Sequence, residues 1–490
     1  MKNFFKKFIG FSLGPIVGAI ISFITVPVTS HLVSADQFGL SNMFTIANSI
    51  ITLIVLVGID QAYIREYNET RDKKKLLFNS FLVPFIATIC VGVVLILFRT
   101  QFAQILFSDQ SMIKPIVLLA ICTPLFIIEK FMLINLRMEE KAFQYSLWNI
   151  VSKALNLILT VIFLMLYKRN FESIIYASIF SQLIVSLILL YVCRKDIGIS
   201  KTYIDKQQIE SILKFGLPLV PATLIGWGLT SMDSIFLRAM TTYTELGYYT
   251  VAMKVSNVLA LIQSSFTAFW PPMAFKWRAE GQPNKKFELV SDGIAFVMSI
   301  ILILVLLFKN IIPIIFGSEY ENIIYIIPFL LFHPIFYTMS ETTTLGIAFS
   351  KRTYYNIIVS VVSMLTNFIL NWMLIPRYGA IGAAIATGIS YLVFFWTRTL
   401  ISRKLWYKFK LKKFIVITII LLGISLINCI IKNIYMITAI NIIGIGLVLC
   451  NYRNLIHKML IYLKNKKIQK ENKNIYTKKN VWKLLFNKQT

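Results

Sequence analysis

Charge is scarce in this chain. Only 15% of its 490 residues are Asp, Glu, Lys or Arg, while 57% are hydrophobic and the mean hydropathy is +0.71, which excludes a soluble surface. Cysteine is nearly absent too. Cys90, Cys122, Cys193, Cys429 and Cys450 sit in or at the ends of apolar runs with no C-x-x-C spacing, which excludes a disulfide framework and a thiolate metal site. There is no H-E-x-x-H, no D-x-D and no G-x-x-x-x-G-K. The Gly-x-Gly at Gly226-Trp227-Gly228 lies in the middle of an apolar run and follows no strand, so it does not read as a nucleotide loop. No cofactor is therefore expected. Any uphill movement of a substrate must draw on an H+ or Na+ gradient or on the substrate's own gradient.

What is there is a succession of apolar runs, each close to the roughly 20 residues that cross a bilayer as a helix. They lie near 8–33, 40–60, 76–98, 113–136, 142–167 and 173–193, then 215–237, 247–270, 290–308, 323–346, 354–375, 380–401, 414–431 and 434–451. This predicts an all-α polytopic membrane protein of about 14 spans, and apolar faces on all sides exclude a β-barrel. The net charge of +28 is an orientation signal rather than a nucleic-acid surface. With the N-terminus inside, roughly 39 Lys and Arg fall at cytoplasmic ends and roughly 8 outside, so both termini are expected in the cytoplasm. The lysines of the tail, from Lys464 to Lys488, are expected to meet anionic lipid headgroups.

The chain also begins twice. Phe11 opens an apolar run that ends in a turn with Gln37-Phe38-Gly39, and Phe215 opens one that ends in a turn with Glu245-Leu246-Gly247. Duplication at this offset predicts two six-helix bundles, 1–195 and 215–403, joined by a cytoplasmic linker at 196–214. Two additional spans (404–451) and a basic tail (452–490) follow. An even number of spans per repeat places the pseudo-two-fold along the membrane normal. Gly14-x-x-x-Gly18 and Ala380, Ala384 and Gly388 put small faces at four-residue spacing, allowing close helix approach. Pro15 with Pro27, and Pro218 with Pro221, mark matching places for kinks in the two repeats.

Charges inside spans are costly in hydrocarbon and mark a lumen or a pair. Glu129, Lys130, Lys153, Asp233, Lys254 and Glu341 stand out. Depth along antiparallel helices puts Asp233 level with Lys254, and Glu129 level with Lys153, so each could pair or line a lumen. Lys130 and Arg398 read as snorkelling residues. Arg238, at a span end, reads chiefly as topological but stays a lumen candidate. Trp227 and Tyr249, among the aromatics of the seventh and eighth spans, are candidates to stack on sugar rings.

The ordered motifs resemble those of the bacterial oligosaccharide and polysaccharide flippases. These Wzx-like transporters share a superfamily with the multidrug and toxin extruders and the peptidoglycan-precursor flippases. The likeness lies in Pro27, Leu32 and Gln37-Phe38-Gly39 leading to Gly58-Ile59 and Arg65, and in Met232-Asp233-Ser234-Ile235-Phe236-Leu237 followed by Leu246-Gly247-Tyr248-Tyr249 and Ala252-Met253-Lys254. It continues in Leu374-Ile375-Pro376-Arg377-Tyr378-Gly379-Ala380-Ile381-Gly382-Ala383-Ala384. The resemblance implies two bundles around a cavity that opens alternately to each side, and a transporter rather than an enzyme. It implies an undecaprenyl-diphosphate-linked glycan as substrate, moved across the bacterial plasma (inner) membrane for O-antigen, capsule or teichoic-type polysaccharide, alongside other polysaccharide-assembly membrane proteins. Lys254 and Lys153 would hold phosphate. Asp233, Glu129 and Glu341 would balance them or exchange H+ or Na+. A cation-coupled multidrug extruder of the same architecture is the alternative, and a membrane glycosyltransferase or polymerase a more distant one. The basic residues of the peptidoglycan-precursor branch are missing between Phe8 and His31, which favours the O-unit, capsule or teichoic reading.

Overall fold

The structure is a computed structural model that describes residues 2–198, 201–352, 354–457 and 461. The tail lysines from Lys464 to Lys488, expected to meet lipid, lie outside these residues. Among those described there are nineteen α-helices and no strand. In chain order they are α1 (Lys2–Ser30), α2 (Ala35–Leu56), α3 (Ile59–Glu66), α4 (Lys73–Leu97), α5 (Arg99–Phe107), α6 (Ile113–Met138), α7 (Ala142–Leu166), α8 (Phe171–Val192), α9 (Lys206–Gly216) and α10 (Val220–Met240). Then come α11 (Tyr243–Ala279), α12 (Asn284–Leu307), α13 (Ile312–Phe316), α14 (Ile323–Leu330), α15 (Phe332–Thr343), α16 (Leu345–Phe349), α17 (Tyr354–Leu405), α18 (Lys412–Ile430) and α19 (Ile434–Asn451).

Polar residues between the apolar runs start several of these helices. Asp72, Asn170, Asp205 and Asn433 each accept a backbone N–H of the first turn of α4, α8, α9 and α19, a cap that contributes about 1 kcal/mol. Twelve stretches among the described residues are long and apolar enough to cross a membrane, so the chain is a multi-pass membrane protein. The two runs at 354–375 and 380–401 fall together in α17, where Gly379 alone is non-helical (φ 53°, ψ −130°). The helix nonetheless folds back on itself there. Ser363 Oγ donates to the Ser390 carbonyl at 2.8 Å, whereas a straight helix would hold residues so spaced about 40 Å apart. The run at 215–237 falls mainly on α10, which is not among the twelve because Gly226, Gly228, Asp233 and Arg238 dilute its apolar content. Pro15 and Pro27 lie inside α1, while Pro218 sits in a single 3-10 turn before α10 and Pro221 in the first turn of α10.

The helices form two compact units. The first comprises Met1–Ile262, Asn310–Pro334 and Val361–Val393. Its core gathers Ile59, Tyr63, Leu76, Ile127, Phe131 and Val185, with the Tyr63 hydroxyl donating to Asn135 Oδ1 at 2.7 Å. The two turns that begin the internal repeats meet in this unit. A methyl group on Gly39 would lie 2.1 Å from the Tyr243 carbonyl oxygen, and one on Gly247 would lie 1.8 Å from that of Ala35. Neighbouring carboxylates bind the same region: Glu319 Oε1 accepts the Ala35 N–H at 2.7 Å and Glu245 Oε2 accepts that of Ala380 at 2.7 Å. A second glycine contact joins Gly58 to Gly216, where a methyl on either would come within 2.5 Å of backbone oxygen.

The second unit comprises Gln263–Lys309, Ile335–Ser360 and Phe394–Thr490. Trp270, Phe287 and Leu345 are buried at its aromatic core with Phe349 and Trp406 against them, and α12, α18 and α19 pack together. Lys309, just after α12, is fully buried and donates to the Asn428 carbonyl oxygen at 2.6 Å. Burial pushes its ammonium group down to about 8. The unfolded chain, with an ordinary lysine near 10.4, then binds more protons between about pH 8 and 10.4, so stability is lost as pH falls through that window and gained as it rises. Lys309→Met is expected to abolish a rise of about 3 kcal/mol across that window. Melting temperatures of both proteins measured from neutral to alkaline pH check this, and equal pH slopes would refute it.

Candidate functional site

In the first unit, small residues on α1 bring α7 close. A methyl on Gly14 would lie 2.4 Å from Ser146 Cα, the Gly14 N–H donates to Ser146 Oγ at 3.0 Å, and one turn on, Gly18 faces the Lys153 stem. This holds Lys153 at a wall shared by three cavities. The first, of about 370 Å³, runs along Gly14–Phe23 and is faced by Lys153, Asn149, Lys254 and Asn257. The second, about 390 Å³, includes both lysines and is lined by hydroxyls and amides such as Thr25, Asn42, Asn48, Ser49, Asn156 and Ser178. The third, about 560 Å³, extends from Lys153 and Gln182 to Glu129, Lys130, Asp60 and Arg137.

The charges along these walls are unequally matched. Lys130 is paired with Asp60 at 3.2 Å, which explains it better than snorkelling. Glu129 accepts the side-chain amide of Gln182 and lies within electrostatic reach of Lys153. Lys153 and Lys254 are exposed to the cavities, make no ion pair among the described residues, and are near enough to repel each other. Two adjacent cations without a carboxylate between them favour an anion. The surrounding hydroxyls and amides supply neutral hydrogen bonds to whatever that anion carries.

Asp233 does not pair with Lys254. Equal depth on neighbouring helices fixes height but not direction, and Asp233 turns to a buried cluster drawn from α10, α11 and both arms of α17. Its Oδ1 accepts from Asn371 Nδ2 at 2.6 Å and Asn367 Nδ2 at 3.0 Å, and its Oδ2 accepts from the Tyr249 hydroxyl at 2.5 Å and from Thr387 Oγ1. All four of these partners are neutral. The carboxylate is only 4% exposed, and Asn371 Oδ1 is buried there with no hydrogen-bond partner among the described residues. Four donors converge on one carboxylate, and the unused Asn371 Oδ1 leaves an acceptor beside it for a proton donor or a small hard cation. Charge within spans does not point to Asn367, Asn371 or Thr387. Two asparagines four residues apart in an apolar run, hence on one helix face, were the available signal.

Of the remaining candidates, Tyr249 and Trp227 belong to these places, and Arg238 and Glu341 lie apart from them. Tyr249 is 3% exposed and committed to Asp233. Trp227 donates its indole N–H to Ser49 Oγ at 2.8 Å, at the wall of the second cavity. Arg238 donates to the carbonyl oxygens of Gln104, Ile105 and Leu106, closing the C-terminal end of α5. Glu341 lies in the second unit, where Arg398 Nη1 meets its Oε1 at 2.8 Å and also donates to Ser340. Arg398 is therefore paired, with its guanidinium over the Tyr337 and Phe394 rings, and does not snorkel.

Residues 4–277 match the polysaccharide biosynthesis protein family. The chain belongs to this family. Within known polysaccharide biosynthesis and transport proteins, it is 24% identical over 392 residues to a putative O-antigen transporter of Shigella flexneri, covering 76% of this chain and 91% of that one. It is 23% identical over 188 residues to a probable low-salt glycan biosynthesis flippase of Haloferax volcanii, a match that covers 38% of this chain and only 40% of the relative's length. Among solved structures, the family member described here is similar to the lipid II flippase MurJ in an inward closed conformation. The TM-score is 0.68 at 19% identity, over 91% of this chain and 99% of that one. A point mutant of the Vibrio cholerae MATE transporter VcmN gives 0.54 at 14% identity, over 81% and 96%. At these identities the likeness shows the fold, which is that of the MurJ and MATE transporters.

Proposed function

We propose that this protein is a flippase that carries undecaprenyl-diphosphate-linked oligosaccharides across the bacterial plasma membrane by alternating access, for O-antigen, capsule or teichoic-type polysaccharide. The observation that carries this reading is the pair Lys153 and Lys254. Neither makes an ion pair among the described residues, and the two cavities that hold both are otherwise lined, where polar, by hydroxyls and amides. The lysines suit a diphosphate, and the neutral groups suit sugar hydroxyls. A site for cationic drugs would need the opposite sign.

In this reading the two six-span repeats, 1–195 and 215–403, alternate about the lumen, both termini are cytoplasmic, and the basic tail meets anionic headgroups. Asp233, Tyr249, Asn367, Asn371 and Thr387 would hold a coupling H+ or Na+, whose binding neutralises the buried Asp233 carboxylate. Asp233 does so at its own carboxylate oxygens, while the amides and hydroxyls keep it oriented.

Deleting the gene in its host and extracting undecaprenyl-linked glycans tests the proposal. The expected result is build-up of a completed lipid-linked oligosaccharide at the inner face. No build-up, with a gain in sensitivity to cationic drugs, would replace flipping by drug extrusion.

A further inference from the structure

The hydrogen-bonding sense of the cavity of about 390 Å³ selects among glycans. A hydroxyl both donates and accepts, but one that has given its proton to a carbonyl oxygen offers its surroundings only lone pairs. Thr25, Thr45 and Ser49, half-buried or exposed at this wall, donate to the carbonyl oxygens of Ile21, Ser41 and Ile46 at 2.9, 3.0 and 2.7 Å. The more deeply buried hydroxyls of Thr29 and Thr160 are committed in the same way, to Thr25 and Asn156 at 2.8 and 2.7 Å.

The amides continue the pattern. Gln182 directs its NH2 to Glu129 and to the Leu125 carbonyl oxygen, and Asn42 directs its own to Ser234 Oγ at 3.4 Å, so each keeps its carbonyl oxygen as an acceptor. Glu129 itself lines the neighbouring cavity and not this one. Ser22, Asn48, Asn156 and Ser178 retain donors, yet acceptors outnumber them along the wall.

Such a wall distinguishes sugars that a merely polar one would not. A sugar O–H or an N-acyl N–H finds an acceptor there, whereas a carboxylate, which only accepts, sets its lone pairs against those of the wall. Its charge would also need a cation, and in the reading above Lys153 and Lys254 are taken by the diphosphate. We infer that the sugar adjoining the diphosphate is uncharged and presents O–H or N–H groups, and that a uronic acid is excluded from that position. The inference rests on the diphosphate reading of the two lysines.

The test measures binding to the full-length protein in neutral detergent, by competition against a fluorescent polyprenyl diphosphate. The probes are undecaprenyl diphosphate alone, linked to galactose, and linked to galacturonic acid. The two sugars differ only in carrying a hydroxymethyl group or a carboxylate at the same carbon. The galactose form is expected to bind about tenfold more tightly than the galacturonic acid form, and more tightly than the bare lipid. Thr25→Val combined with Thr45→Val keeps the side-chain shape and removes two acceptors, so it should shrink the ratio between the two sugars. Its binding of the bare lipid reports whether the variant is folded, and the comparison of sugars in the unaltered protein stands without it. Equal affinity for the two sugars, or the same ratio in the folded variant, would overturn the assignment and leave the flippase reading in place. Failure of all three probes to bind would overturn the diphosphate reading, and this assignment with it.

Discussion

Lys254→Ala is expected to lower transport of a lipid-linked oligosaccharide by roughly 10- to 100-fold without reducing the amount of protein in the membrane. A hydrogen bond from an ammonium to a phosphate contributes about 1.5–3 kcal/mol, and each 1.4 kcal/mol is about tenfold. The effect should be large because Lys153 and Lys254 share one wall with no carboxylate in the two cavities that hold both, so an anion bound there would be held by both. Lys254→Arg keeps the charge on a longer, planar group and should retain part of the activity. Translocation of a fluorescent lipid-linked oligosaccharide in proteoliposomes, normalised to protein, measures both. Full activity in Lys254→Ala would remove this residue from the site.

Asp233→Asn is expected to abolish the response of transport to an imposed proton or sodium gradient. An asparagine there sets its own NH2 against donors already aimed at the carboxylate, from Asn367, Asn371, Tyr249 and Thr387. At least one buried donor is left without an acceptor, a loss of about 1–3 kcal/mol, so the variant should also melt a few degrees lower. Proteoliposomes carrying each gradient separately distinguish the two effects. A variant that melts lower yet still responds to a gradient would show Asp233 to be structural only.

Long apolar runs and turn glycines made much of the fold legible. The runs are continuous in sequence, and they became helical, although the run at 323–346 is broken into α14, α15 and α16 and two others fall together in α17. The turns at Gly39 and Gly247 could be paired by likeness alone, and they proved to touch. The site was legible only where it carried charge. Lys153 and Lys254 stood out against hydrocarbon, whereas Asn367, Asn371 and Thr387 did not. They are neutral, and they reach Asp233 across 134 to 154 residues of chain. Pairing was the weakest inference. Depth placed Asp233 beside Lys254, but the rotation of each helix decides which face a side chain leaves from, and that depends on packing. Likewise nothing in the local sequence tied Lys130 to Asp60 or Arg398 to Glu341, because the partners lie on different helices.

The contact between Gly39 and Gly247 is a joint without side chains. Nothing larger than a hydrogen atom stands between the facing backbones, so closing it requires no sorting of rotamers and costs little side-chain entropy. Such a joint seats in one register each time it forms. The carboxylates beside it fasten its two sides to other parts of the unit instead of to each other: Glu319 holds the Ala35 N–H at the start of α2, and Glu245 on α11 holds the Ala380 N–H of α17.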